Sequence, residues 1–329
     1  MTRARRGGLK DVHAEMMLAT VLKGILERTG LEPKLIEDVV IGNVLPPGGG
    51  ATLARMASLY AGIPESSSVM TVNRQCSSGL QAVAQVAAAI KSGYIEIGIG
   101  GGVESMTMHY GPGALAPSVD DEIASLPAAA DCQIPMGITS ENVAEAYKIT
   151  RQEQDQLAVL SHQKAAKAQA EGLFKEEIVP VKGVEADDGI RADTSITSLA
   201  KLKTSFKENG TTTAGNSSQV SDGAAAVLLM KRSRAQELNL PILAKFVGFN
   251  VSGVPPRVMG IGPAFAIPAV LQQAGLKVSD IGIFELNEAF ASQAVYCIKH
   301  LKLPLEKVNP KGGAIALGHP LGATGARQI

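Results

Sequence analysis

The sequence is poor in aromatic residues and in residues that cross-link a fold. It contains no tryptophan, 5 tyrosines and 7 phenylalanines among 329 residues, and only three cysteines, Cys76, Cys132 and Cys297. Because none of the cysteines forms a CxxC pair, neither a zinc site nor a disulfide framework is indicated. A reducing compartment is the natural expectation for such a chain.

Net charge and long apolar runs are also lacking. The 31 basic and 31 acidic side chains cancel, so bulk charge gives no reason to expect a nucleic-acid or membrane-surface partner. No apolar run approaches the roughly 20 residues of a membrane span, and no signal-peptide core is present. Glycine is abundant, with 35 residues, which predicts many tight strand-to-helix turns of the kind found in α/β proteins.

Hydrophobic periodicity divides the chain into three regions. Strand patterns occur at 38–42, 69–72 and 95–100 and return at 224–230, whereas the intervening region has polar helices and a charged loop. A chain of this length is expected to hold two domains or two fused halves. The predicted units are a first half (1–105 with 221–240), an inserted loop domain (106–220) and a second, incomplete half (241–329).

Local signals fix some element ends. Asp11 is placed to cap a first helix over 12–28, and Gly30 to end it. Thr150 and Glu153 form a capping-box pattern that opens a long polar helix. The Gly98 and Gly100 pair lacks the third glycine and the later acidic residue of a dinucleotide-binding fingerprint, so that cofactor is not expected.

An internal repeat suggests the plan of the fold. GLEPKLIEDVVIGN, starting at Gly30, resembles GLKVSDIGIFELN, starting at Gly275, in its Gly-Leu start, its isoleucine six residues on and its closing asparagine. A Val-Asn strand end and a glycine-containing turn then follow in both regions. Two similar halves that face each other would place the turn with Cys76 near the turn with His319.

Cys76 is a candidate nucleophile. It lies where the strand pattern of 69–72 stops and a helix with apolar Leu80, Val83 and Val86 on one face begins. Unpaired N–H groups and the helix dipole at such a position favour the thiolate. The alternative is a small buried hydrophobic residue, but the polar neighbours in NRQCSS favour the nucleophile.

Three further residues carry candidate chemistry. His319 lies in the glycine-rich turn GGAIALGHPLGATGAR, where it would take the proton of Cys76 and donate to an oxyanion, or else serve only structure. Asn287, in FELNEAF, would hold a water or carbonyl oxygen, or cap the following helix. Ser218 lies in a run of small polar residues that suits a turn or a narrow tunnel for pantetheine.

These stretches together resemble the thiolase family. NRQCSSGLQA, GGVESM, PMGITSEN, AGNSSQVSDGAA, NEAFASQ and GGAIALGHPLGATGAR occur in the family's order and cover nearly the whole chain. The Arg-Gln-Cys-Ser-Ser form resembles the peroxisomal-type 3-ketoacyl-CoA thiolases more than the acetoacetyl-CoA enzymes. The resemblance implies an α/β thiolase fold with two duplicated halves in five αβαβα layers, an inserted loop domain, and a homodimer built across a sheet edge.

The resemblance also implies a role for each candidate residue. Cys76 would accept the acyl group, His319 would activate it, and Asn287 would hold a water that forms an oxyanion hole with His319. Ser218 would contact pantetheine. The reaction would be CoA-dependent cleavage of 3-ketoacyl-CoA in fatty-acid β-oxidation, with CoA as co-substrate, no tightly bound cofactor, and a peroxisomal or alternatively cytoplasmic location. Lining the acyl pocket would be Met136, Met259 and Phe290.

The sequence departs from the family pattern at both ends. The family's C-terminal Cys-x-Gly motif does not occur before Ile329, and the opening strand is not evident. A truncated chain with doubtful turnover is therefore expected, because a missing proton-transfer group costs about 10²- to 10⁴-fold in rate. Two alternatives stay open: an acetoacetyl-CoA thiolase, and a non-catalytic thiolase-fold remnant that binds acyl-CoA.

Overall fold

A single mixed sheet organises the first part of the chain. The computed structural model describes residues 1–111 and 118–329. The sheet has the order β1-β5-β4-β2-β3, in which β2 runs parallel to β3 and β4, and β5 runs antiparallel to β4 and β1. Its strands are β1 (Thr2–Arg3), β2 (Asp38–Gly42), β3 (Ser68–Val72), β4 (Ile97–Ser105) and β5 (Ser221–Met230).

Helices cover both faces of the sheet. Within the described residues, no helix has the length and apolar character needed to cross a membrane. The α-helices are α1 (Ala14–Thr29), α2 (Ala51–Tyr60), α3 (Ser78–Lys91), α4 (Met106–His109), α5 (Asp121–Ala124), α6 (Pro127–Ala130), α7 (Met136–Ala146), α8 (Arg151–Ala170), α9 (Ile196–Ala200), α10 (Arg232–Glu237), α11 (Gly262–Ala274), α12 (Ala291–Leu301), α13 (Ala314–Leu317) and α14 (Leu321–Gln328).

Side chains of β2 alternate between two cores, as the pleat of a strand requires. Val39 and Ile41 are buried in the cluster that contains α1 and α2. Val40 points to the opposite face and packs with Ala82 and Val86 of α3. The apolar run at 38–42 is therefore buried on both sides, which is why it lacks a polar face.

The glycines of β4 allow two helices to lie directly on the strand. A Cβ atom at Gly100 would come within 2.5 Å of the Val83 Cα atom in α3. A Cβ atom at Gly102 would come within 1.9 Å of the Gly322 carbonyl oxygen in α14. Only a residue without a side chain permits this approach, so the glycine-rich strand brings the starts of α3 and α14 together.

Several local predictions are confirmed and one is wrong. Gly30 ends α1 with φ 64°, and the Thr150 capping box opens α8. Asp11 does not cap α1, because the helix starts at Ala14 and is preceded by His13 without a side-chain cap. The propensity of an aspartate to cap is a local signal, whereas here the tertiary course of the chain sets the helix start.

The second half differs from the regular α/β region that its pattern predicts. Residues 241–329, all of which the structure describes, contain helices but no strand in a ladder. Two isolated bridges involve this region, a parallel one between Phe284 and Val308 and an antiparallel one between Phe290 and Ser217. A segment counts as a strand only when its backbone groups pair with a neighbour, and the apolar segment 242–251 pairs with none here. Its core instead combines α7, α8, α11 and α12.

Candidate active site

The turn that carries Cys76 is held by its own polar side chains. The Ser78 hydroxyl accepts from the Arg74 N–H at 2.9 Å and donates to the Gln75 carbonyl at 2.6 Å. The Asn73 Oδ1 atom accepts from the Gln75 N–H at 2.9 Å. Gln75 adopts the left-handed conformation, with φ 48°, which is uncommon for a residue with a side chain. These bonds fix Cys76 two residues before α3.

The Cys76 sulfur is a thiol at rest. Burial and, to a smaller extent, the nearby Glu104 carboxylate raise the pKa of Cys76 to about 11, and a backbone hydrogen bond opposes them only in part. The thiolate expected at this helix end is therefore not the resting form, because desolvation of the charged form outweighs the backbone hydrogen bond that favours it. Attack by this sulfur requires a base nearby.

His319 is a buried imidazole with a defined orientation. Its Nδ1 atom lies 2.6 Å from the Thr324 Oγ1 atom, and its Nε2 atom lies 3.3 Å from the Asn287 Nδ2 atom. An amide nitrogen can only donate, so Nε2 accepts and Nδ1 carries the proton. Burial lowers the pKa of His319 to about 4, which keeps the ring neutral. Nε2 is therefore the unprotonated ring nitrogen, and at rest its lone pair accepts from the Asn287 amide.

The two turns lie at adjacent helix ends. A Cβ atom at Gly79, three residues after Cys76, would come within 2.5 Å of the carbonyl oxygen of Gly322, three residues after His319. The structure thus brings together the two turns that the internal repeat pairs. The Cys76 and His319 turns therefore lead into helices that start side by side.

Asn287 does not cap a helix. The helix that follows, α12, starts at Ala291 and is preceded by Phe290, so the capping alternative is wrong. The Asn287 Oδ1 atom is buried and has no hydrogen-bond partner among the described residues. Glu288 next to it is buried and accepts from the Ser161 hydroxyl at 2.6 Å and the Asn309 amide at 2.9 Å, which fixes the Asn287 segment.

Two of the four remaining candidates lie beside Asn287. The Ser218 N–H donates to the Ala289 carbonyl at 2.9 Å, and the neighbouring Ser217 bridges to Phe290. Ser218 and Phe290 therefore lie on paired segments that adjoin Asn287.

Met136 and Met259 each lie next to a glycine that packs against another segment of this region. The Phe206 ring packs against Gly137, next to Met136, and meets the Phe290 ring edge-on at 6.1 Å between centroids. Met259 precedes Gly260, which packs against α12. Met136 is thus connected to Phe290 through Gly137 and Phe206. Met259 lies next to α12, the helix that follows Phe290.

Sequence reasoning missed Thr324, Phe206 and Glu104. Thr324 is the only hydroxyl residue in the small-residue helix after His319, and this pattern could have indicated a hydrogen-bond partner for the histidine. Phe206 has no local signal, because its partners lie on α7 and before α12. Glu104 is the single acid at the end of a glycine-rich strand, a placement that only a structure can interpret.

The chain is similar to characterised proteins along its full length. The family descriptions "Thiolase, N-terminal domain" and "Thiolase, C-terminal domain" match residues 1–233 and 240–329. The peroxisomal 3-ketoacyl-CoA thiolase 5 of Arabidopsis thaliana is 56% identical over 342 residues, which cover 99% of this chain and 75% of the relative.

Solved structures give the same result. The dimeric peroxisomal thiolase of Saccharomyces cerevisiae superposes with a TM-score of 0.96 at 51% identity, covering 99% of this chain and 86% of that one. A second structure of the yeast peroxisomal 3-ketoacyl-CoA thiolase is described as five α-β-α-β-α layers built from two core domains of identical topology. It superposes with a TM-score of 0.82 at 46% identity, covering 99% and 84% of the two chains.

Proposed function

The chain belongs to the thiolase family, and on that basis we propose that Cys76 and His319 carry out its acyl transfer. The predicted α/β thiolase fold is confirmed. The protein is a peroxisomal 3-ketoacyl-CoA thiolase, an acyltransferase that cleaves 3-ketoacyl-CoA with CoA in fatty-acid β-oxidation. The products are acetyl-CoA and a shortened acyl-CoA.

The orientation of His319 supports the proposed first step. As the Cys76 sulfur forms a bond to the 3-keto carbon, its proton passes to the Nε2 lone pair of His319. The bond between C2 and C3 then breaks, its electron pair stays on C2, and the proton held on Nε2 passes to C2 to give acetyl-CoA. In the second step Nε2 takes the proton of another CoA thiol as that sulfur attacks the acyl-Cys76 thioester, and the same proton passes to the Cys76 sulfur, which leaves as the thiol.

Asn287 is proposed to stabilise the developing oxyanion through a water. Its unpartnered Oδ1 atom accepts one hydrogen of that water, whose other hydrogen donates to the thioester oxygen of acetyl-CoA. The Nε2–H of protonated His319 supplies a second donor. Because thiol, imidazole and amide suffice for these steps, we propose that no tightly bound cofactor is needed.

We propose that the inserted region 106–220 binds CoA, while 1–105 with 221–240 and 241–329 form the two halves. An open cleft of about 660 Å³ runs along residues 202–209 of this region. Ser218 would contact the pantetheine chain where it enters the site. Met136, Met259 and Phe290 would line the pocket around the reacting acyl group.

Chain-length profiling tests the function. With 3-ketoacyl-CoA substrates from four to sixteen carbons, we expect steady CoA-dependent release of acetyl-CoA from the medium and long chains. Activity confined to the four-carbon substrate would indicate an acetoacetyl-CoA thiolase instead. Acylation of Cys76 that CoA does not reverse, detected by intact mass, would indicate a protein that only binds acyl-CoA.

We propose that the protein forms a homodimer through the β3 edge of the sheet. The Ser68 N–H donates to Glu37, and the Val72 carbonyl accepts from Asn43, so these alternate residues face β2. The backbone groups of residues 69 and 71 therefore point away from the sheet. Met70 adds an apolar side chain that is 43% exposed, and an open apolar edge of this kind favours pairing.

A charge on this edge is expected to weaken the dimer. Met70→Lys should lower the dimer fraction in analytical ultracentrifugation by about tenfold or more at micromolar protein, since a lysine on an edge strand opposes pairing. Leu305→Lys is the matched control, because Leu305 is 44% exposed and lies in the second half. An equal dimer fraction in both variants would place the interface elsewhere.

A further inference from the structure

Glu104 is a buried carboxylate that accepts hydrogen bonds from two distant chain segments. It lies near the end of β4 and is fully buried. Its Oε2 atom accepts from the N–H groups of Val44 and Gly322, both at 3.0 Å, and its Oε1 atom accepts from the Leu45 N–H at 3.1 Å. No cationic side chain pairs with it among the described residues, and burial raises the pKa of Glu104 to about 7.

One of these bonds reaches the His319 turn. Gly322 lies in the first turn of α14, three residues after His319, and its N–H points at Glu104. A Cβ atom at Gly322 would come within 2.6 Å of the Asn43 Cα atom and 3.0 Å of the carboxylate. The start of α14 is therefore closely fitted to this position.

The other bonds reach the Cys76 turn through a short relay. The Val44 carbonyl accepts from the Asn73 Nδ2 atom at 3.2 Å. The same Asn73 side chain accepts from the Gln75 N–H at 2.9 Å. Gln75 has φ 48° and immediately precedes Cys76. A displacement of Val44 is thus transmitted to the residue that sets the direction of the thiol.

We propose that Glu104 is a positioning residue that ties the Cys76 turn and the His319 turn to one rigid carboxylate. The inference rests on the catalytic pair proposed above. A carboxylate suits this task because its two oxygens accept several N–H donors at once. Its charge also lies at the amino end of α14, where the helix dipole favours an anion. Glu104 would thereby hold Nε2 of His319 within proton-transfer distance of the thiol.

Shortening the Glu104 side chain tests this positioning role. Glu104→Asp keeps the charge but withdraws the oxygens by one methylene, and we expect kcat to fall by about 10²-fold with KM changed less than about twofold, because misplaced reacting groups lose rate rather than binding. Glu37→Asp is the matched control. The Glu37 carboxylate also accepts two backbone N–H groups, those of Glu96 and Ile97, but at the opposite end of β4. The kcat of the Glu37→Asp variant should not change.

A double-mutant cycle separates positioning from a general structural effect. At pH 8, His319→Ala should slow alkylation of Cys76 by iodoacetamide by about 10²-fold when Glu104 is intact, since the base is lost. In the Glu104→Asp background the same change should have less than about a twofold effect. Asn73→Ala, at an exposed residue in the relay, should likewise reduce the coupling, and Glu37→Asp should preserve it.

Two results would overturn the proposal. One is an equal slowing by His319→Ala in the Glu104→Asp and unaltered backgrounds. The other is no slowing even in the unaltered protein, which would also remove the catalytic pair. If circular dichroism shows that Glu104→Asp does not fold, the surface variant Asn73→Ala decides the outcome, and full coupling in that variant rejects the relay.

Discussion

Cys76→Ala is expected to lower thiolytic turnover by about 10⁶-fold, the scale observed when a nucleophile of covalent catalysis is removed. No other cysteine is placed to replace it. Cys132 is exposed on the turn after α6. Cys297 is fully buried in α12, where burial raises the pKa of its thiol to about 12. Steady-state cleavage of 3-ketoacyl-CoA measures the effect, and intact mass should show no acyl-enzyme.

Cys132→Ala is the matched control for this prediction. The side chain is exposed, so its loss should leave turnover and thermal stability unchanged. Cys76→Ala should also keep the melting temperature within a few degrees, because Cys76 is only partly buried. Retention of more than about a hundredth of the turnover in Cys76→Ala would refute covalent catalysis at this residue.

Cys76 and His319 could be proposed as reacting groups from the sequence because their signals are local. Cys76 has polar neighbours at a strand end, and His319 has glycines on both sides. Each of these patterns predicts an accessible turn. The internal repeat then suggested that the two turns meet. The packing of Gly79 against Gly322 explains how the two turns come close, since only glycines permit two helix starts to approach to this distance.

What the sequence did not reveal depends on contacts between distant residues. Glu104 and Gly322 are 218 positions apart, and no window of sequence shows that a carboxylate will meet that N–H. The prediction that Cys76 is a thiolate was wrong for the same reason. A helix start can be predicted from local sequence, whereas burial follows from tertiary packing, and burial is the largest cause of the raised pKa of Cys76.

His319→Ala is the second prediction with a large expected effect, a fall in kcat of about 10²- to 10⁴-fold, as expected for loss of a general base. His319 can act as this base because its ring is neutral and carries its proton on Nδ1. Thr324→Val removes the acceptor of that proton while keeping the side-chain volume, so kcat should fall by about tenfold, because an unpaired N–H costs roughly 1–3 kcal/mol. Thr20→Val is the control, since its hydroxyl bonds only to Met16 in α1.

The pH dependence of Cys76 alkylation distinguishes a base from a merely structural histidine. The pKa of His319 is lowered to about 4 and that of Cys76 is raised to about 11. Between these values a neutral imidazole and a thiol coexist, so alkylation assisted by His319 should be nearly independent of pH from 8 to 9, above the Glu104 pKa of about 7 and below that of Cys76. In His319→Ala only the thiolate reacts, and its fraction rises about tenfold per pH unit below the thiol pKa. A steep slope in both proteins would mean that His319 takes no proton from Cys76, whereas a flat profile that becomes steep on substitution requires transfer to Nε2.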